Sequence, residues 1–414
     1  KIITYLSSLT SISKLDMSKF QFITYQRGVR EFNKGNFKNS IKYFNLSSRY
    51  KVNNEIYIKS LINKSEALFI GNKYDESKNV LQTLLKYKSI PETLLLKAYL
   101  SLAYTYYNLN EYEEASEYFK IYIDSELKNN EKEAFNSEIF LRLADSYYAS
   151  KNFKKAIETY KKIGEKKTDK NYLNYQIGLS YNGINNNNQS IEYLDKVIDD
   201  GKNSLVDDAL FRKAQIYLES SEFDNSILTQ NKLIQFHPYS NYLPYAYLNR
   251  ATCYFNLRAY DQSEDDYLYI LKNIMNEKIQ NEALLGYQKV VSFTKNYSLL
   301  NKSISNFRKN FPNNNIKKLQ YENLRNLYFN QQYEEFINLM LSVDSMNEEV
   351  FNRYEIDYYL AESYYRSNNM EKAKIIYKTL LDSMNSKYFS RSLNRVANIY
   401  FKEQDYNNSL IYYK

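Results

Sequence analysis

The 414-residue chain carries 56 Lys and Arg against 48 Asp and Glu, a mild formal charge of +8. It has one His, one Cys, no Trp and 8 Gly beside 46 Tyr and 22 Phe, which excludes a histidine metal cluster, an internal disulfide, a Cys-rich zinc site and a fold built on many glycine turns. An aromatic share of 16% argues against disorder, and no run approaches the roughly 18 apolar residues of a membrane span.

Residues 1–20 open with KIITYLSSLTSISKL, a moderately apolar stretch broken by polar side chains. No small-residue cleavage site follows, so it reads as a preceding helix or N-terminal cap and not as a signal peptide. The chain begins at Lys1 and stops at Lys414 inside an apparent helix, which marks it as a segment of a longer or processed protein. From residue 21 an aromatic-x-x-small motif recurs: Phe37/Ser40, Tyr74/Ser77, Tyr112/Ala115, Phe153/Ala156, a weaker Asn187/Ser190, Phe223/Ser226 and Tyr260/Ser263. These seven copies form an array over 21–275. Residues 276–345 keep only degenerate copies, Tyr297/Leu300 and Tyr333/Phe336, and are expected to form a joint. Two further copies, Met370/Ala373 and Tyr406/Ser409, fill 346–414 and end truncated.

The second residue of each motif serves as an anchor, and the eleven anchors are 34 to 41 residues apart. Self-similarity at such a period is the mark of a stacked-repeat fold. Twelve residues before the anchor the chain is small in nine copies: Gly28, Ser65, Ala103, Ala144, Gly178, Ala214, Ala251, Ala361 and Ala397. Tyr recurs three residues later, as at Tyr106, Tyr147 and Tyr181, and an apolar or aromatic residue follows four after the anchor, as at Phe44, Tyr160 and Tyr377. Offsets of three and four put side chains on one helix face. Gly35, Gly71, Asn110, Asn152, Asn185 to Asn188, Asn330, Asn368 and Asn369 lie between the apolar blocks, residue types that tolerate the left-handed conformation at a helix end. Each unit therefore reads as helix, tight turn, helix. Small residues let the two helices approach, and stacked neighbours supply the core that one hairpin lacks.

These columns resemble the tetratricopeptide repeat superfamily, over essentially the whole chain from Gln21 to Lys414. The resemblance implies an all-α, right-handed superhelix, an α-solenoid of about eleven helix-turn-helix repeats, whose first helices line a concave face. Most intervals here, 36 to 38 residues, exceed the family's 34. Pro238 and Pro312, within FHPYSNYLPYA and NFPNN, resemble the links between repeats in bacterial cell-envelope proteins. Where chaperone-binding members place a clamp Lys, this chain has Tyr25, Ile62, Leu100, Leu141, Tyr175, Phe211 and Leu248, which argues against a co-chaperone role.

Eight residues before the anchor an aromatic ladder runs through Phe32, Phe69, Tyr107, Tyr148, Phe255, Tyr328, Tyr365 and Phe401. The resemblance places it on the inner groove, where it would grip a partner segment; packing between repeats is the alternative use of such a stripe. Charge also alternates between neighbouring units. An acidic patch includes Glu111, Glu113, Glu114 and Glu117, and a basic one Lys154, Lys155, Lys161, Lys162, Lys166 and Lys167. Such patches steer a protein partner or another copy, unless they are simply solvated helix faces.

No phosphate-binding or dinucleotide fingerprint occurs among the glycines. His237 sits in a link, and Cys253 fits a half-buried packing position. Asp261, Glu264, Asp265 and Asp266 lack calcium-loop spacing. The expectation is a non-catalytic scaffold without cofactor or metal, whose partners are other proteins and neither small-molecule substrates nor nucleic acid. The Asn-, Lys-, Ile- and Tyr-rich composition and the envelope-like links point to a bacterial periplasmic or envelope-associated assembly, for example a structural collar around the flagellar motor. The alternative is a cytoplasmic adaptor or regulatory module capturing a peptide or RNA.

Overall fold

A computed structural model describes residues 13–129, 136–163, 169–201, 203–312, 317–342, 353–382 and 387–414. Among them are 22 helices and no strand. The chain is all-α, and its helices pair in sequence as eleven hairpins, each with a first helix A and a second helix B. It divides into two compact units, Lys1–Ala209 and Leu210–Lys414. In the first, hairpin 1 joins Lys14–Asn33 to Phe37–Ser47, and hairpin 2 joins Asn54–Ile70 to Tyr74–Leu85. Hairpins 3 to 5 are Glu92–Asn108 with Tyr112–Asn129, Ser137–Ala149 with Phe153–Ile163, and Lys170–Gly183 with Asn187–Asp200. Hairpin 6, Val206–Glu219 with Phe223–Phe236, straddles the division. Hairpins 7 to 11 then run through Leu243–Asn256/Tyr260–Asn273, Glu277–Thr294/Tyr297–Asn310, Lys317–Phe329/Tyr333–Ser342, Arg353–Arg366/Met370–Leu380 and Phe389–Lys402/Tyr406–Tyr413.

The small columns do more than make room. The anchor hydroxyl donates to the backbone carbonyl twelve residues earlier in five hairpins: Ser77 to Ser65 at 2.9 Å, Ser190 to Gly178 at 2.7 Å, Ser226 to Ala214 at 2.8 Å, Ser263 to Ala251 at 2.7 Å and Ser409 to Ala397 at 3.0 Å. Only a helix axis brought very close lets a side chain as short as Ser reach its neighbour's backbone. At Gly28 the approach is tighter still, since a Cβ there would lie 2.6 Å from the ring of Phe44. In hairpins 8 and 9 the same columns hold Gln288 with Leu300 and Leu324 with Phe336, and backbone contact between the helices is sparser than in hairpin 1. Bulk has replaced proximity there. Gly286 does not restore the pattern, because it faces Tyr267 of the preceding hairpin and not its own helix B.

The turns follow one rule. In all eleven, the residue five before the anchor has positive φ: Gly35, Asn72, Asn110, Lys151, Asn185, Ser221, Arg258, Lys295, Gln331, Asn368 and Gln404. In ten of them the next N–H bonds the carbonyl nine before the anchor at 2.8–3.0 Å, the backbone signature of a Schellman close. Hairpin 8 instead uses Lys295 N–H to Val291 C=O at 2.8 Å. This corrects part of the sequence reading. Gly71, Asn152, Asn186 to Asn188, Asn330 and Asn369 are not the left-handed residues; in the same turns Asn72, Lys151, Asn185, Gln331 and Asn368 are. The Asn one position later has a different task, capping helix B: Asn36, Asn186 and Asn369 each accept from the N–H three residues on.

Two stability effects follow from these contacts. Gly28→Ala gains about 1 kcal/mol of helix propensity, but the buried Phe44 ring blocks the new methyl, and overpacking of this kind costs about 1–3 kcal/mol. Thermal melting should show a net loss, much reduced when Phe44→Leu is added; an unchanged loss in the double variant would remove the contact as the cause. Arg258→Gly should raise stability by about 0.5–1 kcal/mol by relieving the left-handed turn, read by denaturant unfolding, and a loss would contradict it.

Candidate functional site

The ladder rings sit on the last turn of helix A, where they meet the aromatic residue that opens helix B. Ring centroids are 5.5 Å apart for Phe32/Phe37, 5.2 Å for Phe69/Tyr74, 5.5 Å for Tyr107/Tyr112 and 5.6 Å for Tyr148/Phe153. Phe255/Tyr260, Tyr328/Tyr333 and Phe401/Tyr406 repeat the contact at 5.8, 6.2 and 5.6 Å. Six of these seven pairs are edge-on and one is tilted, geometries the ring quadrupole favours. The ladder thus clasps each turn. Hairpin 10 has Met370 in place of the partner ring, and there Tyr365 lies under Arg395 and Lys402, each 4.7 Å from its centroid. Some rungs also reach the next hairpin: Arg142 lies over Tyr107 at 5.5 Å, and Tyr328 stacks on Tyr359 at 4.0 Å. Seven rungs are half-buried and Phe401 is exposed.

The charged patches occupy helix B of hairpins 3 and 4. Glu113, Glu114 and Glu117 are exposed, whereas Glu111 accepts from Lys78 at 2.7 Å. Lys154, Lys155, Lys161 and Lys162 are exposed. Lys161 donates to the Tyr181 hydroxyl at 2.7 Å, and Lys155 lies 5.4 Å over the Tyr147 ring. Lys166 and Lys167 lie outside the described residues.

A tyrosine–acceptor pairing within hairpins escaped the sequence reading. The Tyr four after the anchor donates to a polar residue eleven before it: Tyr160 to Asp145 at 2.7 Å, Tyr377 to Glu362 at 2.7 Å and Tyr413 to Asn398 at 2.6 Å. The signal was present, since wherever Tyr stands four after the anchor a residue with an acceptor oxygen stands eleven before it: Asp145, Thr252, Glu362 and Asn398. Tyr172 adds a second donor to Asp145 at 3.1 Å, and Arg395 with Arg366 surrounds Glu362. Burial pushes the Asp145 carboxyl up despite Tyr160, Tyr172 and Arg142. At Glu355 burial also pushes up, but Tyr359, Tyr321 and Arg325 outweigh it and hold the group low. Two of the four carboxylates between residues 261 and 266 are engaged by neighbouring side chains, and Asp261 and Asp265 are exposed. Glu264 accepts from Tyr287 and Asn296, each at 2.9 Å, and Asp266 accepts from Arg250 at 2.6 and 2.8 Å. Among the described residues no group of three His, Cys, Asp or Glu is placed to hold a metal ion, and no helix is long and apolar enough to cross a membrane. Cys253 is buried, which pushes its thiol up.

Residues 100–169 and 355–383 match tetratricopeptide repeat family profiles, and both segments fall on hairpins of the geometry just described. These two segments are tetratricopeptide repeats. No curated protein matches its sequence. Similar solved structures include Naa15/Naa10 bound to HypK, at 12% identity over 95% of this chain and 62% of that one, TM-score 0.45. The chain therefore spans less than two thirds of that relative. A tetratricopeptide repeat protein from Parabacteroides merdae is 10% identical over 73% of this chain and 98% of its own, TM-score 0.39. YrrB, described as a repeat protein with an unusual peptide-binding site, is 13% identical over 46% of this chain and 90% of its own, TM-score 0.37.

The raised Asp145 group makes a signed prediction for this repeat protein. A carboxyl whose folded pKa exceeds its unfolded value contributes stability below the unfolded pKa and loses it as pH rises through the folded one. Asp145→Asn should therefore melt higher than the parent at neutral pH, and the gap should shrink as pH falls toward the ordinary Asp value of 3.8. A gap that widens on acidification would mean that the ionised form is the stabilised one.

Proposed function

We propose that this chain is a non-catalytic protein–protein interaction scaffold that holds subunits of a bacterial assembly together. Tetratricopeptide repeat proteins generally mediate protein–protein interaction. The observation that carries the reading here is the side-by-side exposure of opposite charge, Glu113, Glu114 and Glu117 on one helix B and Lys154, Lys155 and Lys162 on the next. Charge held inside the hairpins, such as Asp145 and Glu362, serves packing. Charge left outside in ordered opposite strips is suited to orienting a partner. The outward faces of the ladder rings, Phe401 above all, add apolar contact surface beside their turn-clasping role.

The assembly is proposed to belong to the cell envelope, with a collar around a periplasmic motor as one example. Support for the location is the composition and the Pro238 and Pro312 links alone.

Amine-reactive crosslinking in the native cell, read by mass spectrometry, should link Lys154, Lys155 and Lys162 to other proteins. A chain that yields no links to other proteins, yet retains RNA with an affinity that falls steeply with salt, would replace the scaffold by a nucleic-acid adaptor.

A further inference from the structure

Three short helical stripes converge on one cleft of about 610 Å³ in the first unit. One wall is Lys120, Ile123, Asp124 and Leu127 on helix B of hairpin 3; the other is Lys155, Glu158, Thr159 and Lys162 on helix B of hairpin 4. Both walls repeat the spacing i, i+3, i+4, i+7. The floor, Phe140, Leu143 and Tyr147 on helix A of hairpin 4, keeps i, i+3, i+7. Residues so spaced share one helix face, and each stripe is about 10 Å long. Three neighbouring helices thus turn a face toward a common space that lacks a fourth. No ladder residue lines it.

We infer that this cleft seats an amphipathic, acid-flanked α-helix of a partner protein, an inference that rests on the scaffold reading above. The apolar floor supplies the anchor sites, with Phe140, Leu143 and Tyr147 almost buried and Leu127 standing at the rim with 43% exposure. The walls are helices, so they offer no free backbone edge for an added strand; helix-in-groove docking reads the spacing the cleft provides. Charge sets the flank. Lys120 is paired with Asp124 at 2.6 Å, while no ion pair among the described residues engages Lys155 or Lys162. The wall of hairpin 4 therefore presents two ammonium groups beside the apolar floor, which complement Asp or Glu on one side of the docked helix. Three lysines against two carboxylates is too even a balance to favour a polyanion such as nucleic acid.

The test uses the full chain and a designed helical peptide of about four turns, with Leu in a heptad stripe and Glu along one flank. A twin peptide carries Lys in place of Glu. By fluorescence anisotropy the Glu peptide should bind, and the Lys twin should bind at least about tenfold more weakly. The paired change Lys155→Glu with Lys162→Glu should reverse that preference, and Leu127→Asp should abolish binding. All these positions are at the surface, so melting curves should match the parent. Tyr239→Ala, at an exposed link position remote in sequence from the cleft, should leave binding unchanged. Binding of neither peptide, equal binding of both, or indifference to Leu127→Asp would overturn the inference. So would self-association of the chain that Leu127→Asp abolishes, since the cleft would then belong to a second copy. A photo-crosslinker at Leu127 that captures no protein, in cells where Lys154 and Lys161 do link to partners, removes the cleft and leaves the scaffold standing.

Discussion

Everything in these hairpins depends on how closely two helices can approach twelve residues apart in sequence. Where Ser meets Ala or Gly, the hydroxyl reaches the opposing carbonyl, and a hydrogen bond is made between two backbones that side chains normally hold apart. That bond sets the hairpin's width, and width sets what can sit beside it. The residue four after the anchor then falls over the small position, as Phe44 does over Gly28 and Leu194 over Gly178. Where the small pair gives way to Leu324 and Phe336, the hairpin closes on side-chain bulk instead. The interval of twelve is kept throughout, while the intervals between anchors vary from 34 to 41. Variation is therefore confined to the outer ends of the helices and the connections between hairpins.

The buried polar groups extend the same geometry. In hairpins 4 and 10 the anchor is Ala156 or Ala373, which has no hydroxyl to offer, and there the Tyr after the anchor reaches helix A, so Asp145 and Glu362 are met by a hydroxyl from their own hairpin. The two acids differ in what else arrives. Asp145 receives mainly neutral donors, and desolvation dominates. Glu362 receives guanidinium groups from Arg395 and Arg366, so its charge is compensated in place.

Much of this was legible in the chain. The spacing of Ser40, Ser77 and Ala115 and the small residues twelve earlier located the helices, because a packing constraint that recurs must recur in sequence. The turn was only half legible. Asn72 and Asn185 announce a left-handed residue, but Lys151, Arg258 and Gln404 adopt the same conformation because the closing bonds around them impose it. The ladder was visible as a column, yet its contact with the ring five residues on was not, since the two lie on different helices. The cleft was hidden for a related reason. Its stripes at 120–127, 140–147 and 155–162 are individually ordinary, and only their convergence gives them meaning.

The twelve-residue clasp also has a mechanical side. Five hairpins are tied by a bond that spans a dozen residues, and all eleven by turn bonds shorter still, so little chain must be gathered before the first of them forms, and such local topology favours rapid assembly. The same locality governs how the array yields to load. Pulled from its ends, a stack held mainly by near-neighbour contacts has no single latch whose rupture releases everything. It pays out one hairpin at a time, and a released hairpin re-forms against the neighbour that supplies its core.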